Sequence, residues 1–125
     1  MNVKTDTKER FTVITPEESN LTANMTEELL DLLHPYLQKD TPHIVFNMEA
    51  VQAIDETAAG VLGNLQQKFY EMDCSFVICN LQKPVESLLD SLELLEVMNV
   101  TPTENEAWDI VQMEEIEREL LGDAE

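Results

Sequence analysis

His43-Ile-Val-Phe-Asn-Met-Glu-Ala-Val-Gln-Ala-Ile-Asp-Glu-Thr-Ala-Ala-Gly60 contains a change of period. Its opening run, His43–Met48, is short and apolar, the pattern of a strand buried on both faces. From Ala58 onward the apolar residues fall at Ala58, Leu62, Leu65 and Phe69, the spacing of one helix face. Between the two lies a tight connection ending in Asp55-Glu56-Thr57. A buried strand led through a short loop into a helix is a building unit of parallel sheets.

The flanks repeat that rhythm. Upstream, Asn2–Thr5 reads as a weak edge strand turning at Asp6–Thr7, and Phe11–Thr15 as a β-branched and aromatic strand closed by Pro16. Met25, Leu29, Leu32, Leu33 and Tyr36 then trace a helical stripe that Pro35 should kink or stop. Downstream, Cys74–Cys79 is a second buried strand. Pro84 suits the first turn of a third helix, where its missing N–H costs nothing; Val85, Leu88, Leu89, Leu92 and Leu95 form its stripe. Val97–Thr101 is expected as an edge strand. Thr103 and Glu106 are spaced as a capping box for a last helix running through Trp108, Val111, Ile116 and Leu120, at about 103–121. The expectation is one α/β domain over 1–125, with a mostly parallel mixed sheet of about four to five strands flanked by about four to five helices.

Composition narrows the function. The 125 residues carry 26 acids and 7 bases, a net charge of −19, which excludes nucleic acid and anionic membrane as natural partners. Residues 1–101 hold a net −11 and residues 102–125 a net −8, so the last helix is acidic out of proportion to its length. No run nears the roughly 20 apolar residues of a membrane span. Met1–Arg10 is polar and unlike a secretory leader, so the cytoplasm is the expected compartment. Cys74 and Cys79 stand an odd number of positions apart on a strand, on opposite faces, and are expected reduced and unbridged.

Enzymatic chemistry is scarce. Three glycines leave no phosphate-cradling loop, no nucleophile elbow and no calcium loop; two cysteines and two scattered histidines make no metal site. No catalytic residue, metal or cofactor is assigned. Asp90-Ser91-Leu92 matches the triplet on which acyl carrier proteins bear their prosthetic group. Against that, the leucine stripe places Ser91 inside a packed helix, and carrier proteins are helical bundles without buried strands.

His43–Gly60, the Gly60-Val-Leu-Gly63 turn, the strand Phe76–Cys79, Pro84–Leu89 and the helix start leading to Trp108 together resemble the STAS domain of bacterial anti-sigma factor antagonists. The likeness runs from Phe11 to about Glu119. In that family a hydrophobic strand leads into Asp-Ser-Ser-Gly at a helix start, and the second serine is phosphorylated by an anti-sigma factor that is also a protein kinase. Here Asp55 matches the aspartate, Glu56 the first serine, Thr57 the phosphorylated serine and Ala58 the glycine. Two further departures stand out. The family's Gly-Glu-Leu-Asp is Ser19-Asn-Leu-Thr22, and its glycine late in the third helix falls at Glu93.

The resemblance implies a non-enzymatic partner switch. Unphosphorylated, the protein binds the anti-sigma factor (a serine/threonine kinase) and frees a sigma factor; phosphorylated at Thr57, it lets go, with a phosphatase as a further partner. Asp55, Glu56, Thr57, Ala58, Ala59, Gly60, Gly63 and Thr22 are the candidate partner-binding residues. Ala59, Gly60 and Gly63 are small enough for a partner helix to lie close, or else pack on the sheet. The bare chemistry agrees with a switch, because a helix N-terminus favours an anion and a phosphate adds about −1.5 to −2 charges. Threonine also opens helices without any such role. Two alternatives stay open: an interaction scaffold that is never phosphorylated, and a carrier using Ser91.

Overall fold

The computed structural model describes residues 1–123. In chain order its elements are β1 (Val3–Thr7), β2 (Thr12–Pro16), β3 (Asn20–Leu21), a 3-10 turn (Ala23–Met25), α1 (Thr26–Leu33), a second 3-10 turn (His34–Gln38), β4 (Ile44–Asn47), β5 (Ala53–Ile54), α2 (Glu56–Glu71), β6 (Phe76–Cys79), α3 (Lys83–Ser91), β7 (Val100–Thr101) and α4 (Glu104–Asp123). The main sheet has five strands in the order β1-β2-β4-β6-β7. Only β1 runs antiparallel, against β2; the other pairs are parallel. The expected mostly parallel α/β sheet is therefore the observed one.

Both faces of the sheet are covered, which is why β4 and β6 are apolar at successive positions. Alternate residues Ile14, Ile44, Phe46, Phe76 and Ile78 join the larger core with α1, α2 and α3, through Leu29, Leu33, Leu62, Leu65, Phe69, Val85 and Leu89. Val13, Val45 and Val77 face the other way and pack with Phe11 against Ala107 and Val111 of α4. Helix α4 thus lies across the sheet from the other three helices. Cys74 belongs to the first core and Cys79 to the second, and both are free thiols. The expectation of unbridged cysteines on opposite faces holds.

Several expectations need correction. Strand β1 extends through Asp6 and Thr7, and the turn falls later, where the Lys8 amide donates to the Phe11 carbonyl. The stripe from Met25 to Tyr36 starts in a 3-10 turn rather than in α1, and α1 gives way to the second 3-10 turn at Pro35, which has no N–H to continue the helix, as expected. The third helix stops at Ser91, so Leu92 and Leu95 lie beyond it and only Val100–Thr101 of the next segment is strand. Ser91 is therefore not inside a packed helix; it is exposed at the C-terminal end, its hydroxyl bonded to the Leu88 carbonyl at 2.7 Å. On α4, Ile116 and Leu120 are not core residues but stand 55% and 64% exposed. Glu93, just past the α3 cap, has φ 61°, a conformation suited to the glycine that the resemblance places there.

Candidate functional site

Two very short strands organise the site. β3 pairs with β5 in parallel, Asn20 with Ala53 and Leu21 with Ile54, away from the main sheet. Ser19 O accepts from the amides of Gln52 (2.7 Å) and Ala53 (3.1 Å), and Leu21 O accepts from the Asp55 amide at 3.1 Å. This pairing brings the segment before α1 alongside the segment before α2. Asp55 then emerges at the junction in extended conformation and caps α2. Its Oδ1 accepts from the Ala58 amide at 2.8 Å and its Oδ2 from the Ala23 amide at 2.7 Å. One carboxylate fixes two helical starts. Thr22, beside Asp55 in this register, precedes the 3-10 turn without a side-chain capping bond; Asp55 fills that role from across the strand pair.

Glu56 and Thr57 occupy the first two positions of α2, and both are exposed. The first intrahelical bond runs from the Ala59 amide to Asp55 O at 3.0 Å. With the Ala58 amide taken by Asp55, the amides of Glu56 and Thr57 have no protein partner among the described residues. The Thr57 hydroxyl thus stands in water at the positive end of a 16-residue helix, next to two carboxylates. Ala58 and Ala59 point inward, 1% and 0% exposed, and offer no side-chain surface.

Gly60 and Gly63 lie further along α2 at one wall of a groove of about 670 Å³. The opposite wall is the segment after α3, with Leu94, Val97, Met98 and Asn99. A Cβ added at Gly60 would meet nothing within 4 Å, and one at Gly63 would make an ordinary contact at 3.8 Å with Leu94. Packing inside the domain does not require either glycine. That second wall was not foreseen, because Leu94–Asn99 is irregular and its hydrogen bonds to α2 run through side chains. The Gln66 Oε1 accepts from the Asn99 amide at 2.8 Å, while its Nε2 donates to Phe76 O at 2.7 Å and Asn99 O at 3.0 Å. Tyr70 OH lies 2.9 Å from Glu114 and accepts from Asn99 Nδ2 at 2.7 Å. Burial pushes the Tyr70 phenol well above its ordinary range.

Beneath the site, Asn47 ends β4 and is buried. Its Oδ1 accepts from the Glu49 amide (3.0 Å) and Asn80 Nδ2 (3.3 Å), and its Nδ2 donates to Glu104 at 3.2 Å. One amide therefore holds the loop leading to Asp55, the turn after β6 and the start of α4. Among the described residues no group of three or more His, Cys, Asp or Glu side chains is arranged to hold a metal. Burial, with Glu104 and Glu49 adding to it, pushes the Cys79 thiol up to about 12, so it is no nucleophile.

The sequence model of the STAS domain matches residues 2–107. The chain belongs to the STAS domain family. Solved structures share the fold of this STAS domain at low identity. A Thermotoga maritima protein assigned as an anti-sigma factor antagonist is 18% identical with a TM-score of 0.79, over 88% of this chain and 94% of that one. An anti-sigma-factor antagonist (STAS) domain protein from Planctomyces limnophilus is 18% identical with a TM-score of 0.75, over 88% and 97%. The Bacillus cell fate determinant SpoIIAA in its phosphorylated form is 16% identical with a TM-score of 0.64, over 88% and 99%. No curated protein matches the sequence. No described helix is long and apolar enough to cross a membrane.

Proposed function

We propose that this STAS domain is a non-enzymatic regulator that binds an anti-sigma factor with serine/threonine kinase activity, frees a sigma factor by doing so, and lets go when Thr57 is phosphorylated. The observation that carries this reading is the exposed Thr57 hydroxyl at the second position of α2, on a helix start locked by Asp55. A phosphate there gains from the free amides and the helix dipole, so it is tolerated by the domain itself. Toward a partner it deepens a field already set by Asp55 and Glu56, repelling any acidic or apolar contact. Gly60 and Gly63, unneeded by internal packing, give a partner helix room to approach α2. A protein of the same fold, SpoIIAA, exists in a phosphorylated form, which agrees with the reading.

Glu56 favours a second reading. A carboxylate beside Thr57 makes the helix start anionic without any phosphate, as a scaffold that binds and is never switched. The two separate in one experiment, in which the domain is incubated with its cognate kinase and ATP and followed by intact mass and by binding. The switch predicts one phosphate on Thr57 and a loss of roughly tenfold or more in affinity for Thr57→Glu. Thr57→Ala should bind and take no phosphate. Equal binding by wild type, Thr57→Glu and Thr57→Ala overturns the switch, and tight binding without a mass change establishes the scaffold. The carrier reading loses its footing in the fold, since carrier proteins are helical bundles and this domain is built on a five-stranded sheet.

A further inference from the structure

Of the six large apolar side chains that stand exposed among the described residues, four, Met113, Ile116, Leu120 and Leu121, lie on α4 from its midpoint onward, at 56%, 55%, 64% and 70% exposure. Met113, Ile116 and Leu120 are spaced three and four apart and share one face at about 3.6 residues per turn. Ala107 and Val111, which dock α4 on the sheet, share a different face. The helix is thus amphipathic twice over, with a core seam and a second apolar seam in water. Contiguous exposed apolar surface of this kind marks an interaction site more often than scattered single residues do. The matched family region ends at residue 107, so the stripe lies outside it.

The charge around the stripe says what covers it. Helix α4 carries eight acids and one base. That base, Arg118, turns inward and donates to Ser75 Oγ at 3.0 Å. Asp109 and Glu117, four residues either side of Met113, border the stripe and are exposed. Ile116 sits beside a shallow hollow lined by Arg10, Gln112 and Glu119, where Arg10 is neutralised by Glu115 at 3.3 Å. A second copy of the same helix would set carboxylate against carboxylate. We infer that this face of α4 docks a partner protein through a basic amphipathic helix, apolar residues on the stripe and Lys or Arg against the flanking acids. The site is on the opposite side of the sheet from Thr57, so both surfaces can be occupied at once.

A synthetic peptide with leucines on one helical face and lysines on the other serves as the probe against the full chain, read by fluorescence anisotropy. A control peptide of the same composition has its leucines scattered. The ordered peptide should bind, weaken as salt rises, and lose roughly tenfold or more in affinity with Ile116→Ser/Leu120→Ser. Both positions are exposed, and circular dichroism checks that the variant is folded. Thr57→Glu should leave this affinity unchanged, which keeps the test apart from the switch. Equal binding of both peptides, or of wild type and the stripe variant, reduces the effect to bulk charge and overturns the inference. A dimer in sedimentation that Ile116→Ser dissolves and the peptide fails to displace assigns the stripe to a second copy and overturns it as well.

Discussion

Asp55 carries more of the site than any other side chain. It serves as the N-cap of α2 and, through its other oxygen, as the acceptor for the Ala23 amide before α1. Removing both acceptors in Asp55→Ala should cost about 1–4 kcal/mol, from capping losses of about 0.5–2 kcal/mol each, read as a lower urea midpoint at constant slope. Asp55→Asn keeps one carbonyl oxygen but turns an amide donor toward the other N–H, so it should fall between wild type and alanine. An Asp55→Ala midpoint equal to wild type contradicts the double cap. That a helix starts at Asp55-Glu56-Thr57 was legible, but the sequence reading assigns the opening role to Thr57 and not to Asp55. The second bond was not legible, because it depends on Ala23, which is far away in sequence and close only through the β3–β5 pairing. Glu93 shows the reverse situation. Asp73 and Asn80 also have positive φ, at 59° and 57°, and are residue types that tolerate it, whereas Glu93 at 61° is not.

At the level of elements, strands and helices with strong periodicity were readable, and their ends were not. β4 and β6 announce themselves by unbroken apolar runs, while β3 and β5 are two residues each and have no pattern to find. The stripe on α4 was visible, but periodicity alone does not say which of two apolar seams faces the sheet. Helix α2 offers a test of whether its glycines serve the fold or a partner. Gly60→Ala places a methyl in open space, so the intrinsic helix preference should dominate and raise stability by roughly 0.5–1 kcal/mol. The same methyl would meet a helix lying along the groove, so affinity for the anti-sigma factor should fall while thermal stability rises. A variant that gains stability and binds unchanged removes Gly60 from the proposed interface.

Across the whole molecule the sheet separates the two proposed binding surfaces, with the Thr57 end of α2 on one side and the acidic α4 on the other. Beyond the apolar seam of Ala107 and Val111, a small polar cluster just before β4 and β6 ties the later turns of α4 to the sheet. His43 Nδ1 accepts from the Ser75 amide at 2.9 Å, and Arg118 reaches the Ser75 hydroxyl. Burial first, and the Arg118 charge second, hold the His43 imidazole below its ordinary range, outweighing the opposing pull of Glu115 and Glu114. Folding therefore favours the neutral ring, while the unfolded chain takes up the proton at about pH 6.5. Stability from this group is fully present above that pH and is lost as pH falls through it toward the lower folded value, because the unfolded state then binds more protons. Protonation also removes the acceptor for Ser75 and sets two cations together, so α4 should loosen from the sheet before the rest unfolds. Urea midpoints measured between pH 7.5 and 5.5 should decline for wild type and decline less for His43→Asn, which offers Ser75 an acceptor that does not titrate. Since both proteins share every carboxylate, the difference between the two slopes isolates His43, and parallel slopes rule out its part in the acid response.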